Sequence, residues 1–263
     1  MIYLSDRKVL FLKPKKVAGT SVEIALSTAC TGAPGDIVTP ITPMDEVTRL
    51  RQGGALPMNW AANAEDDREL RDRLNQIAAA LKADGDRIEK PTRRLIALTR
   101  RWLRTIDARF RAHASPALAA EGLGRAVFDA ALKVTIVREP LDQLLSRVYF
   151  KLKNEESFEI GDEAWTQQVE ESLVRSNRGF YLRGSRRICD VYLRYEHLAD
   201  DLADLDRRLG TAIAERLPWT KHGNRADRRP AQELLTRDQI ARCVKTNRGI
   251  YREFGYAPPA GFD

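Results

Sequence analysis

The stretch K13-P-K-K-V-A-G-T-S21 sets three lysines, a glycine and two hydroxyl side chains between the apolar runs V9-L-F-L12 and V22-E-I-A-L26. A strand that turns into a helix leaves the first helical N–H groups without internal acceptors, so a phosphate can accept them. Gly19 permits close approach, while Lys16, Thr20 and Ser21 add charge-assisted and hydroxyl hydrogen bonds. Lys13 and Lys15 enrich the local field, although side-chain alternation keeps the three lysines from all converging. A basic edge with a hydroxyl helix cap would account for the same residue types. The lysine precedes the glycine, unlike the nucleotide-binding pattern G-x-x-x-x-G-K-[ST].

A second constellation lies in V134-T-I-V-R-E-P-L-D-Q-L-L-S146. Arg138 ends an apolar strand pattern, and Ser146 follows on a helix that Pro140 can open without losing a needed hydrogen bond. A planar guanidinium fork and a short hydroxyl donor can face one phosphate. The competing arrangement pairs Arg138 with Asp142 and leaves Ser146 to bond local backbone.

The elements that must position these groups follow from pattern. Residues 8–12 and 133–137 read as buried strands, and 20–27 as a helix with Val22, Ala25 and Leu26 on its inner side. Residues 31–64 carry Pro, Gly and Thr with little periodicity and read as a long, ordered excursion. Leu70, Leu74, Ile77, Ala78 and Leu81 predict one helix; Leu95, Leu98, Trp102, Ile106 and Phe110 predict another. T236-R-D-Q239 is a capping box for a terminal helix whose apolar side continues through Ile240, Val244 and Tyr251. Alternating strands and helices predict one α/β domain over residues 1–263, with a central, mainly parallel sheet flanked by helices.

Composition sets the bounds. The chain has 263 residues, 43% hydrophobic and 31% charged, with 44 basic against 37 acidic side chains and a net charge of +7. Such a chain folds into a globule and favours anionic ligands without requiring nucleic acid. Cys30, Cys189 and Cys243 form neither a disulfide framework nor a zinc spacing, so a reducing compartment is expected. No apolar run reaches the ~18 residues of a membrane span, and Asp6, Arg7 and Lys8 interrupt any signal-peptide core. A cytoplasmic location is expected.

With both motifs in view, the chain resembles the sulfotransferases that use 3′-phosphoadenosine 5′-phosphosulfate (PAPS), particularly their carbohydrate-type and bacterial branches. K15-K-V-A-G-T-S21 is similar to the family's P-K-T-[AG]-G-T-[ST], with Val17 in place of threonine and Pro14 one position early. V137-R-E-P140 with Ser146 is similar to V-R-[ND]-P…S, with Glu139 in place of Asn or Asp. R194-Y-E-H-L198 and the C-terminal Y251-R-E-F-G-Y256 extend the likeness, which covers roughly residues 8–30 and 108–256. The intervening residues match poorly, and the excursion over 31–130 holds the two helices and candidate acceptor-site elements. The resemblance implies a P-loop-like fold without a metal. Lys16, Ala18, Gly19, Thr20 and Ser21 would hold the 5′-phosphate end of PAPS and of its product PAP, and Arg138 and Ser146 its 3′-phosphate.

Sulfuryl transfer to a hydroxyl also benefits from a base. His113 in F110-R-A-H-A-S115 is the first candidate, since a neutral imidazole accepts a proton near neutral pH. Glu23 is the second, and a cap or solvent-facing contact is its competing role. Lys221, Arg225 and Arg228, around His222, form a loop that could close on the donor or on an anionic acceptor, or stay solvated. The expected partners are a nucleotide donor and a hydroxylated acceptor, a saccharide or glycoconjugate. A P-loop-like small-molecule kinase would need a lysine after the glycine and an acidic magnesium site. A nonenzymatic module binding anionic carbohydrate would keep the anion contacts and lack transfer. Nucleic-acid binding ranks below these, for want of a stacking or groove-reading arrangement.

Overall fold

The computed structural model describes residues 1–60, 68, 69, 72, 75, 76, 79, 106–153, 158–218, 227 and 229–262. The strands are β1 Ile2–Leu4, β2 Val9–Phe11, β3 Ile37–Val38, β4 Leu132–Val137, β5 Leu182–Arg183, β6 Arg186–Arg187 and β7 Val191–Arg194. The helices begin with α1 Gly19–Ser27, α2 Pro43–Arg51, α3 Pro116–Leu123, α4 Arg125–Ala130 and α5 Pro140–Leu152. They continue with α6 Glu163–Leu173, α7 Arg178–Tyr181, α8 Leu198–Leu209, α9 Ala231–Leu234 and α10 Arg237–Phe254.

Helices flank a five-stranded sheet in the order β3-β1-β2-β4-β7, and β5 and β6 form a separate hairpin. β1 runs antiparallel to β2 and β3, whereas β4 runs parallel to β2 and β7. The sheet is mixed, which corrects the expectation of a mainly parallel one. The reason is local: only S5-D-R-K8 separates β1 from β2, and so short a link can return the chain only antiparallel. Residues 31–64 also do more than wander. They contribute β3 at the sheet edge and α2, whose first turn is opened by Pro43 and carries Asp45 and Glu46.

The period of two sorts the sheet's side chains. Ile2, Leu4, Val9, Phe11, Val134, Ile136 and Leu193 pack with α1 and α8. Tyr3, Leu10 and Leu12 face the other way, toward Trp60, Ile106, Phe110 and Phe128. Helices α5, α6 and α10 share a third apolar cluster around Trp165 and Tyr149. The stripe from Leu70 to Leu81, and its successor from Leu95 to Trp102, lie outside the described residues. Ile106 and Phe110 are buried as expected, but Phe110 ends a 3₁₀ turn, Ala108–Phe110, rather than an α-helix.

Because β2, β4 and β7 are parallel, their carboxyl ends emerge on one edge. Phe11 lies opposite Val134, and Val137 opposite Arg194. The Leu12 N–H donates to Val134 O at 2.9 Å, and Thr135 Oγ1 to Leu12 O at 3.0 Å. The lysine loop and the Arg138 turn are thereby neighbours.

At the C-terminal helix, Thr236 and Gln239 exchange the two bonds of a capping box, at 3.0 and 3.3 Å. Thr236→Ala should lower stability by about 1 kcal/mol, read as a lower urea midpoint with an unchanged slope.

Candidate anion-binding site at the β2–α1 turn

The loop after β2 is held by its carbonyls. Lys13 O lies 2.9 Å from His113 Nδ1. Lys15 O accepts from Gln143 Nε2 and Asn177 Nδ2, both at 2.8 Å, and Lys16 O accepts from Arg138 Nη1 at 3.0 Å. Lys15 N–H donates to Asn177 Oδ1 at 3.3 Å, and Val17 is fully buried beneath the turn. In a trans peptide the C=O and the next N–H point opposite ways. Binding the Lys15 and Lys16 carbonyls therefore turns the Lys16 and Val17 N–H groups away from those anchors, whereas Pro14, after Lys13, has no N–H to turn.

Two residues of this loop occupy the left-handed region, Lys16 at φ 63° and Ala18 at φ 60°. With a Cβ present, each costs roughly 1–2 kcal/mol, which the surrounding bonds offset. Ala18 is the N-cap of α1 and offers no side-chain acceptor to the first turn. Side-chain caps close α3, α5, α6 and α10 through Ser115, Glu139, Asp162 and Thr236, whereas α1 shares its uncapped start with α2, α4, α7, α8 and α9. Gly19, Thr20 and Ser21 thus begin a helix whose cap residue leaves the orphan donors to another acceptor.

Gly19 has a different task from the one its sequence context suggests. Its φ is not left-handed; an added Cβ would lie 2.7 Å from Lys13 Cγ. The Lys13 side chain crosses the first turn of α1 there and reaches Glu23, whose other oxygen takes the Met1 amine. Lys13 is therefore spent internally and adds little to the outward field. Glu23 is completely buried, which corrects its reading as a cap or solvent-facing residue. Burial pushes its carboxyl up, but the Lys13 ammonium and the Met1 amine outweigh burial and hold it well below the usual carboxylate range. Both carboxylate oxygens are taken and no part of Glu23 reaches solvent, so it offers no accessible acceptor for a substrate proton.

Arg138 is buried and its fork is turned partly inward. Nε and Nη2 each meet Asp142 Oδ2 at 2.6 Å, and the guanidinium carbon lies 3.8 Å from the Tyr195 ring centre. The pairing with Asp142 is thus present together with the contact to the lysine loop. Asp142, Ser146 and Phe150 recur every fourth residue and share one face of α5. Lys16 Nζ sits 3.8 Å from the centre of the Phe150 ring. Lys16 hence touches both ends of this face: its carbonyl is bound by Arg138, and its ammonium lies over Phe150. Half-buried Ser146 lies between. Glu139 caps α5 and accepts from Tyr251 Oη at 2.6 Å, so glutamate at this position supports the turn.

His113 is brought to the same loop across 100 residues. Its φ of 67° is left-handed. The Lys13 carbonyl can only accept, so neutral His113 carries its proton on Nδ1 and keeps the lone pair on Nε2. Burial, and then the Lys13 charge, lower its pKa to about 4. The imidazole is neutral at physiological pH.

Lys221, Arg225 and Arg228 lie outside the described residues. Asn177 and Phe150 lie outside the quoted motifs, and Gln143 and Tyr195 lie inside them with no role assigned, because each acts through a contact far away in the chain. A cleft of about 370 Å³ borders Glu139, Asp142, Arg229 and Pro259. Another, of about 580 Å³, opens at the far end of α1 around Arg7, Arg51 and Arg216. Neither is lined by Lys16, Ser146 or His113; backbone geometry and charge single out the loop.

No protein-family model, curated protein or solved structure matches the chain. Among the described residues, no group of three or more His, Cys, Asp or Glu side chains could hold a metal ion. Nor is any described helix long and apolar enough to cross a membrane. Cys30, Cys189 and Cys243 are free thiols, each pushed up to about 12, first by burial.

Two outcomes follow from this geometry. Glu23→Ala strands a buried lysine and should cost about 3–5 kcal/mol in urea unfolding, while Lys13→Met combined with Glu23→Gln should cost clearly less than the single changes summed. His113 binds its proton less readily when folded. Its contribution is therefore complete above pH 6.5 and is lost as the pH falls toward about 4. His113→Asn, which tolerates the left-handed backbone, should flatten that part of the pH–stability profile by on the order of 2 kcal/mol.

Proposed function

We propose that this chain is a PAPS-dependent sulfotransferase that moves a sulfuryl group to a hydroxyl of a saccharide or glycoconjugate. One observation carries the reading. Arg138 and His113, from separate parts of the chain, both bond carbonyls of the loop that carries Lys16 and opens an uncapped helix. That donor set suits a nucleotide with phosphates at two ends. Amides and Lys16 would take the 5′ end, and Ser146 with the remaining Arg138 donors the 3′-phosphate.

In the reaction an acceptor oxygen bonds to sulfur as the bond from sulfur to the bridging phosphate oxygen breaks, and PAP departs with the electron pair. Lys16 stabilises the charge gathering on that bridging oxygen. The acceptor proton passes to His113 Nε2, the nitrogen left with its lone pair by the Lys13 carbonyl. Fixed donors and an aligned acceptor lower the barrier by positioning.

The test uses purified protein, sulfur-labelled PAPS and a panel of hydroxylated acceptors that includes saccharides. Lys16→Met and Arg138→Ala should weaken PAP binding and cut labelling by about 10²–10³-fold. His113→Asn should bind PAP normally and transfer ~10²-fold or more slowly. Phosphoryl transfer from ATP, with no labelling from PAPS, would replace the proposal with kinase chemistry.

A further inference from the structure

We propose that the β5–β6 hairpin is a docking surface for a polyanionic saccharide, so that the acceptor is an acidic glycan; the second half rests on the sulfotransferase reading. Residues 172–189 contain Arg175, Arg178, Arg183, Arg186 and Arg187 and neither Asp nor Glu. The hairpin turns at Gly184 and Ser185, with Gly184 at φ 66°. Arg183 is paired directly with Arg186, and Leu182 with Arg187.

The alternation of a strand gives these pairs different fates. Leu182 is buried. Arg187 lies over Tyr192 and Phe254, 5.6 and 5.1 Å from their ring centres, and donates to Glu253 O. Arg178 donates to Gly184 O at 3.0 Å. These two arginines hold the hairpin in place. Arg183 and Arg186 are exposed, and among the described residues no carboxylate pairs with either. Like charges directly opposed on a sheet repel. A closely spaced anionic ligand turns that repulsion into two charge-assisted forks.

Position ties the surface to the donor loop. Asn177, one residue before α7, bonds both Lys15 N–H and Lys15 O. Phe180 packs in the cluster that contains Ile106 and Phe110, three residues ahead of His113. The chemistry favours a saccharide over a nucleic acid. Single-stranded nucleic acid needs open aromatic platforms, whereas Tyr181 and Phe254 are buried and Arg187 lies over Tyr192.

The experiment measures binding of a fluorescent heparin dodecasaccharide to the full chain over a range of salt. Arg183→Ser with Arg186→Ser should weaken binding about tenfold or more and reduce the salt slope by roughly two. Arg207→Ser with Arg208→Ser removes the same charge from exposed positions on α8 and should bind as the parent does. PAP binding should be the same in all three proteins. In the transfer assay, acidic saccharides should be labelled in preference to neutral ones, and the hairpin variant should raise KM more than it lowers kcat. Equal weakening in both double variants would reduce the effect to net charge and overturn the proposal. Tighter binding of single-stranded DNA or phosphatidylserine vesicles than of the saccharide would also overturn it. Hairpin-dependent saccharide binding without PAP binding would instead overturn the sulfotransferase reading and leave the docking surface standing.

Discussion

A carboxylate enclosed on all sides anchors the architecture of the site. Glu23 lies inside the protein with the Lys13 ammonium and the Met1 amine against its two oxygens. Ionised groups lose several kcal/mol each on leaving water, so Lys13 and Glu23 persist there as a matched pair. Burial lowers the Met1 amine to about 6, so near pH 7 it meets the carboxylate as a largely neutral donor. Matching the carboxylate sets the path of Lys13 across α1, and that path requires a residue without a Cβ at position 19. The same constraint joins the end of β2 to the second turn of α1 and leaves the Lys13 carbonyl in reach of His113.

From that anchor the loop's polarity is sorted. Its carbonyls are taken up by His113, Gln143, Asn177 and Arg138, groups from three distant parts of the chain. The three lysines separate by fate as well: Lys13 is buried and paired, Lys15 is exposed, and Lys16 extends over Phe150. Two of the three therefore contribute to the outward field. Left-handed backbone at Lys16, Ala18 and His113 concentrates around this one turn. Strain of this kind survives where surrounding contacts over-determine it, and here those contacts are the carbonyl bonds themselves.

Arg138 illustrates how one side chain can tie two distant turns of the chain together. Its bonds to Asp142 and Lys16 O, and its stacking on Tyr195, orient the fork at the carboxyl edge of the parallel strands. Open α/β sheets bind ligands at that edge because the loops there are free to diverge from the strands that carry them. The antiparallel β1 and β3 extend the sheet on the other side and leave this edge unchanged.

Local signals were enough for β2, α1, β4, the Pro140 helix start and the Thr236 capping box, because each is written in neighbouring residues. The lysine, glycine and hydroxyl spacing was equally legible, but the uncapped start at Ala18 was not, since the hydroxyl pair suggested a cap of its own. The mixed direction of the sheet was not, since three apolar residues at Ile2–Leu4 carry too little periodicity to announce a strand. Nor could spacing show that Glu23 is buried, that Gly19 makes room for Lys13, or which loop carbonyl fixes the His113 tautomer. Those outcomes depend on which distant groups share a low-dielectric interior, and only the assembled tertiary structure decides that.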